Sequence, residues 1–504
     1  MKKRIAILLA AALMLSLSAC GRNAAGDSGA CESADEFIQN MGVGWNLGCA
    51  LSVCFDESPL QNAAIYFLTD NGAYNRSAVS YFDPNTMTAE IVWEIDMTSG
   101  TIWCDESAIL DRIGIELRNP VLDINDIITY RVDELVYVTE TGEVTLPVSE
   151  QTTNMSDGDG SNIVATLESI PVGQIKQIRA KITYLDKVYG DYIASGPHKI
   201  ETMWSNPATT PEMINTVHDR GFDTIRVSVS YLHHMDARGN IDPDWLDRVV
   251  EVVDYCMDAE VYCILNISGA GWLTAEPDTY EAQSAVYRRL WEQIATVFAG
   301  YGERLLFESF NEILTEDELW SNPPITAFEV VHNLHQDFVD TVRSCGGYNE
   351  TRNLVLNPYG ASGDYAMAKF FELPQDTVKN HLVAQVHCYY PNKFTMNEIN
   401  VGNIGFVNQW GTEGDRHALE AKFFNMKTRF MDELGIPVII GEFGVANRAP
   451  ESERREYLEF YAQTAKKYGI KLVVFDAGSD FTLLDRRNLT WPYQSLVDVL
   501  LENS

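Results

Sequence analysis

Apolar residues fall along this chain in two rhythms, and the change comes near residue 200. From there onward, short β-branched runs alternate with longer stretches of helical period, the pattern of a parallel sheet covered by helices. The runs are 224–227, 261–265, 305–307, 354–356, 382–386, 437–440 and 472–474, and an eighth precedes them at 41–47. Helical patterns occupy 243–259, 279–299, 325–343, 417–434 and 451–468. The alternation predicts an α/β fold, a (β/α)8 TIM barrel built from residues 34–55 and 197–504. Residues 56–196 have another texture. Short β-rich runs at 89–95, 112–117, 127–131, 134–138, 164–167 and 175–183 are punctuated by Asn71-Gly72, Thr141-Gly142 and Asp157-Gly158-Asp159-Gly160. They predict a β-rich, sandwich-like module inserted between the first strand and the first barrel helix.

The start of the chain carries an address. Lys2, Lys3 and Arg4 precede an apolar run to Leu17, which is too short to span a bilayer but suits a secretory signal. The run ends in Leu17-Ser18-Ala19-Cys20, which resembles the lipobox of bacterial lipoproteins. Acylation of Cys20 would hold the protein on the cell surface, with small polar residues 21–33 as a flexible tether. An ordinary signal-peptide cleavage near Cys20 is the alternative. No later run is long enough for a transmembrane helix.

Composition narrows the partners. With 72 acidic against 37 basic side chains the formal charge is −35, which repels phosphate backbones and anionic bilayers. Nucleic acid is excluded as a partner, and a neutral polymer or small molecule fits. Nine cysteines without a C-x-x-C pair are too scattered for a zinc cage or a disulfide framework. Cys49 and Cys54 remain close enough in sequence for one bridge. Asp157, Asp159, Ser161 and Glu168 match part of a calcium-loop spacing, but Asn162 stands at the glycine position and no helix flanks it, so a solvated turn is expected. His233-His234 lacks a third ligand. Neither a metal nor a cofactor is expected.

Barrel chemistry sits at the C-terminal ends of the strands, so polar residues that follow the apolar runs are the candidates. Arg226 closes the second run, Asn311-Glu312 follow the fourth, His387 and Tyr389 the sixth, Glu442 the seventh and Asp476 the eighth. Two glutamates on facing strands suit cleavage of a glycosidic bond, in which one carboxyl protonates the leaving oxygen and the other attacks the anomeric carbon.

These segments carry a family resemblance. Met41-Gly42-Val43-Gly44-Trp45-Asn46-Leu47-Gly48, Thr224-Ile225-Arg226-Val227, Leu306-Phe307-Glu308-Ser309-Phe310-Asn311-Glu312, His387-Cys388-Tyr389 and Ile440-Gly441-Glu442-Phe443-Gly444 together resemble glycoside hydrolase family 5, especially its subfamily 4 endoglucanases and xyloglucanases. The resemblance implies that Glu312 is the general acid/base and Glu442 the nucleophile. It makes Asn311 the partner of the sugar 2-hydroxyl and Tyr389 the residue that orients Glu442. Arg226 and His387 would support the carboxylates, and Trp45 and Phe475 complete the expected substrate contacts. Departures fall around this centre. Asn266-Ile267-Ser268-Gly269 lacks the family's His-His pair, Val474-Phe475 stands where tandem tryptophans are usual, and Cys49 and Tyr231 replace an asparagine and a tryptophan.

The expected function is that of a monomeric, retaining endo-β-1,4-glucanase-like hydrolase acting on plant β-glucans such as cellulose, mixed-linkage glucan or xyloglucan. Two alternatives stay open: a surface glycan-binding lipoprotein on a hydrolase fold, and a barrel glycosidase of other specificity such as mannan. In the glycan-binding reading the inserted module does the capturing. Its aromatics, Tyr66, Phe67, Tyr81, Phe82, Trp93 and Trp103, are then either a sugar-stacking face or sandwich core.

Overall fold

The computed structural model describes residues 30–504 apart from 53–61, 71, 83–85, 99–101, 103, 119–126, 155–158, 186–195, 203–205, 233, 270–271, 318 and 397–406. The signal, Cys20, Cys54, Trp103, Asp157 and His233 lie outside the described residues.

Parallel strands close into a barrel in chain order: Gly44–Leu47, Thr224–Ser230, Tyr262–Ser268, Leu305–Glu308, Leu354–Leu356, Leu382–His387, Val438–Phe443 and Lys471–Val474, hereafter strands one to eight. Gly44 pairs with Thr224 on one side and Val473 on the other, which seals the ring. Strand three is buried at every position, as parallel strands packed on both faces must be. Its outward residues and those of its neighbours join the helices in one large core.

The inward residues form layers. Near the N-terminal ends Tyr262, Ile264, Leu306, Val355, Val383, Ile439 and Val473 make an apolar plug with Phe37 of the helix Ala34–Asn40. That helix starts at a capping box in which Glu36 N–H donates to Ser33 Oγ at 3.3 Å and Ser33 N–H to Glu36 Oε2 at 2.8 Å. Ser33 caps this docked helix and Cys31 is buried, so residues 31–33 belong to the folded barrel and not to the expected tether. Two residues further along each strand the inward layer turns polar: Asn266 follows Ile264, Glu308 follows Leu306, Asn357 follows Val355 and Gln385 follows Val383. At strand seven this layer has Gly441, where a Cβ would lie 2.1 Å from Gln385 Cδ. A register shift beside it lets Glu442 pair with His387 across the rim.

The module consists of two antiparallel sheets sharing one core. Asp159–Pro171, Ile109–Arg118, Asn62–Thr69 and Tyr74–Arg76 form the first, with Ser80–Tyr81 on Asn62–Thr69. Thr88–Glu94, Ile175–Tyr184, Ile127–Thr139 and Gly142–Thr145 form the second, with Glu150–Asn154 on Ile127–Thr139. The two runs read at 127–131 and 134–138 are one strand, interrupted by a register shift where Lys181 pairs Glu134 and Ile182 pairs Val132. Asn62–Thr69 escapes a period-two reading because neither face is exposed. Phe67, Phe82 and Trp93 are core, with Phe67 and Trp93 stacked 5.2 Å apart, and Tyr66 is covered as well. They supply no open sugar face.

Among the described residues Cys31, Cys104, Cys256, Cys263, Cys345 and Cys388 are free thiols.

Candidate active site

The polar layer organises the site from below. Glu308, fully buried at the end of strand four, accepts five hydrogen bonds. Arg226 Nε and Nη2 clamp its two oxygens at 2.7 Å each. Asn266, Asn357 and Gln385 amides donate to Oε1 at 2.9, 3.0 and 2.8 Å. Burial alone would raise this carboxyl's pKa, but the Arg226 charge and the converging donors outweigh it and hold the group below the usual carboxylate range. Arg226 is buried too, and despite that burial the charges of Glu308 and Glu442 keep its proton on more firmly than usual. Such a pair is held by completeness of bonding, since an unpaired charge here would be costly.

Arg226 hands this order upward. Nη1 donates to Glu442 Oε1 at 2.7 Å and to Asn46 Oδ1 at 3.0 Å, and Nη2 donates to Asn311 Oδ1 at 2.8 Å. Tyr389 Oη donates to the other oxygen of Glu442 at 2.9 Å, so both carboxylate oxygens are fixed. Burial, then the negative charges of Glu442 and Glu312, push the Tyr389 hydroxyl's pKa up and keep it a donor. His387 Nδ1 lies 2.6 Å from Glu312 Oε1 and 3.6 Å from Glu442 Oε2. Its far nitrogen is 3.4 Å from Gln385 Nε2. Because Glu308 can only accept, it fixes the Gln385 amide with nitrogen inward. The second N–H of that amide then meets Nε2 and keeps the ring proton on Nδ1, facing Glu312. Burial opposes a charge on this ring, yet the two carboxylates together raise its pKa.

One oxygen of Glu312, one of Glu442 and a nitrogen of His387 lie within 4.8 Å of one another. Inverting hydrolases hold their carboxyls about 6.5–9.5 Å apart to admit a water, and retaining ones about 5–5.5 Å. The spacing here matches the second arrangement. The same trio offers ligand atoms to a cation, but Arg226 already supplies positive charge 2.7 Å from Glu442.

Glu312 is the more open carboxylate, with 27% of its side chain exposed against 11% for Glu442. It lines, with Asn311, Ser268, Trp272 and Trp320, a cavity of about 550 Å³. His387 and Tyr389 line a second cavity of about 660 Å³ with Asp364, Lys393 and Lys422. The Glu312–His387 contact joins the two, so open space lies on both sides of the carboxylates.

One expected substrate contact needs correction. Trp45 is fully buried, its Nε1 donating to Asp476 Oδ2 at 3.1 Å and its ring 5.1 Å from the Arg486 guanidinium, so it supports the rim and cannot reach a sugar. Arg226 is 1% exposed and, as expected, supports the carboxylates, its other partners being the amide oxygens of Asn46 and Asn311. Asp476 accepts from Leu483, Leu484 and Gly478 backbone N–H groups, each at 2.9 Å, and ties down the loop after strand eight. Phe475 is half-buried beside Tyr389, ring centroids 6.2 Å apart. Sequence reading missed Glu308, Asn266, Asn357 and Gln385, whose signal was the i+2 spacing from the apolar layer. It also missed Trp320, which is 55% exposed at the cleft edge.

A closed barrel with paired glutamates at strands four and seven is the architecture of a glycoside hydrolase. The profile described as Cellulase (glycosyl hydrolase family 5) matches residues 190–481, more than half the sequence, and the chain belongs to that family. Endoglucanase A of Clostridium longisporum is 33% identical over 320 residues, 61% of this chain and 60% of that protein. This chain therefore spans well under two thirds of that relative. A xyloglucan-specific endo-beta-1,4-glucanase of Bacteroides ovatus is 32% identical over 57% of this chain and 60% of its own length. Among solved structures, a GH5-4 broad specificity endoglucanase from Ruminococcus champanellensis with bound cellotriose is 35% identical, with a TM-score of 0.56 over 60% of this chain and 89% of that one. A family 5 xyloglucanase from Paenibacillus pabuli is 31% identical, with a TM-score of 0.55 over 60% and 92%.

Proposed function

We propose that the chain is a retaining β-glycanase that cleaves β-1,4-linked plant glucans within the polymer. The observation that carries this reading is the approach of Glu312 and Glu442 to within 4.8 Å. Glu442, fixed at both oxygens, attacks the anomeric carbon while Glu312 gives its proton to the leaving oxygen. A covalent glycosyl-enzyme forms, and Glu312 then takes a proton from the water that releases it. Arg226 holds the oxygen of the Asn311 amide, which leaves the amide N–H groups for the sugar 2-hydroxyl. Relatives named endoglucanase and xyloglucan-specific endo-beta-1,4-glucanase support the substrate class. Cavities on both sides of the carboxylates support cutting inside a chain. All of these groups come from one chain, so a monomer suffices.

A panel of cellulose, mixed-linkage glucan, xyloglucan and mannan assayed with wild type and Glu442→Ala tests the reading. The expected result is reducing-end release from one or more β-glucans, lowered about 10⁴-fold in the variant. Release that survives in Glu442→Ala, or confined to mannan, rejects it. In the same reading Cys20 is acylated and the enzyme works at the cell surface. Cys20→Ala should move the protein from the membrane fraction to the medium, and an unchanged distribution would remove the anchor.

A further inference from the structure

The cavity beside Glu312 does not end at its rim. Trp320 forms its outer edge, and the Trp320 ring lies over Gly360, where a Cβ would come 3.5 Å from Cζ3. Gly360 adopts φ +57°, a conformation that suits glycine, and its bare Cα lets the indole lie close. Beyond Trp320 the apolar surface continues. Tyr365 Oη donates to the Trp320 carbonyl at 2.9 Å, the Tyr365 ring is 5.3 Å from Phe328, and Phe328 stacks on Phe370 at 4.4 Å and 10°. Phe370 is 41% exposed, and Ile325, one turn before Phe328 on the same helix, 64%. Two flat rings thus stand on one surface, each backed on one face, Trp320 by backbone and Phe370 by a parallel ring, and each open to solvent.

Backing of this kind restrains a ring at little entropic cost when something packs on its free face. The C–H face of a β-linked glucose unit is flat and apolar and matches such a ring, whereas its hydroxyls stay in water. We infer that Trp320 and Phe370 form a distal platform for the same glucan chain, gripping units that extend past the cleft on the Glu312 side. The inference rests on the proposed substrate class. Continuity with the cleft selects this occupant, because Trp320 lines the Glu312 cavity and is joined to Phe370 through Tyr365 and Phe328. The role of Phe370 is to bind length: it acts on long chains and not on those short enough to fit the cleft alone.

The test is binding, measured by calorimetry on the full chain in a Glu442→Ala background so that hydrolysis does not intrude. Ligands are a long soluble β-glucan and a β-1,4-linked tetrasaccharide. Adding Phe370→Ala should weaken polymer binding about five- to tenfold and leave the tetrasaccharide unchanged, and Phe370→Trp should restore the polymer affinity. Unchanged polymer binding in Phe370→Ala, equal weakening of both ligands, or no polymer binding in the parent overturns the platform. So does an altered sedimentation coefficient with unaltered glucan affinity, which would assign the surface to a second copy. Failure of the catalytic reading looks different, since wild type would then bind glucan and release no reducing ends.

Discussion

The floor of the barrel and its rim are both rich in charge, and they use it oppositely. On the floor Glu308 and Arg226 are 0% and 1% exposed, and the carboxylate meets five donors, so neither group has room to change its proton. On the rim Glu312 is open to solvent and its contact is a histidine, a group able to share a proton with it. The floor fixes geometry, and the rim is where the proposed chemistry would run. Arg226 is the single side chain that belongs to both, giving two N–H groups to Glu308 and another to Glu442.

Substitutions should separate the two regions, beginning with the largest effect. Glu308→Gln removes the floor charge and leaves Arg226 buried against one carboxylate. Urea unfolding should show a loss of about 3–5 kcal/mol, and activity should fall because Arg226 no longer presents Glu442 and Asn311. Glu442→Ala, by contrast, leaves Arg226 paired with Glu308 and should lower the unfolding free energy by only about 1–2 kcal/mol while abolishing turnover. Equal stability losses in the two variants would erase the distinction.

A pH-dependent effect of similar size comes from just beneath the loop that carries Glu312. His335 is fully buried, stacks on Phe310 at 4.7 Å, and its Nε2 lies 2.8 Å from the Asn357 carbonyl. Burial lowers its pKa from 6.5 to about 3. In the unfolded chain the imidazole binds a proton near 6.5 and in the fold it does not until about 3. The unfolded state therefore holds the extra proton across that window, and stability falls as the pH drops through it, by on the order of 4 kcal/mol. Unfolding free energies from pH 7 to 4 should show a shallower acid slope in His335→Gln than in wild type. Parallel slopes would mean that other groups set the acid limit.

How much of this was legible beforehand depended on the kind of signal. The barrel strands were, because parallel strands buried on both faces read as continuous apolar runs and their polar successors mark the rim. Glu312, Glu442, His387 and Tyr389 stand together for that reason. The inserted strand Asn62–Thr69 was not, since an alanine-rich stretch covered on both faces neither alternates nor carries a β-branched majority. Trp45 misled because a rim tryptophan suggests stacking, and only the Asp476 and Arg486 contacts reveal it as a support. Glu308 was hidden inside an apolar run, where a lone carboxylate gives no hint of the four side chains that converge on it. Trp320 sits in a loop whose sequence has no period, so its exposure was a matter of three-dimensional packing.

The proposed mechanism requires that Glu442 form a covalent bond to sugar. Incubating the enzyme with an activated 2-deoxy-2-fluoro cellobioside slows release of the intermediate, and the labelled peptide can be mapped by mass spectrometry. A mass increase on the peptide carrying Glu442, absent in Glu442→Ala, is the predicted result. Label on another residue, or hydrolysis with inverted product and no label, would contradict it.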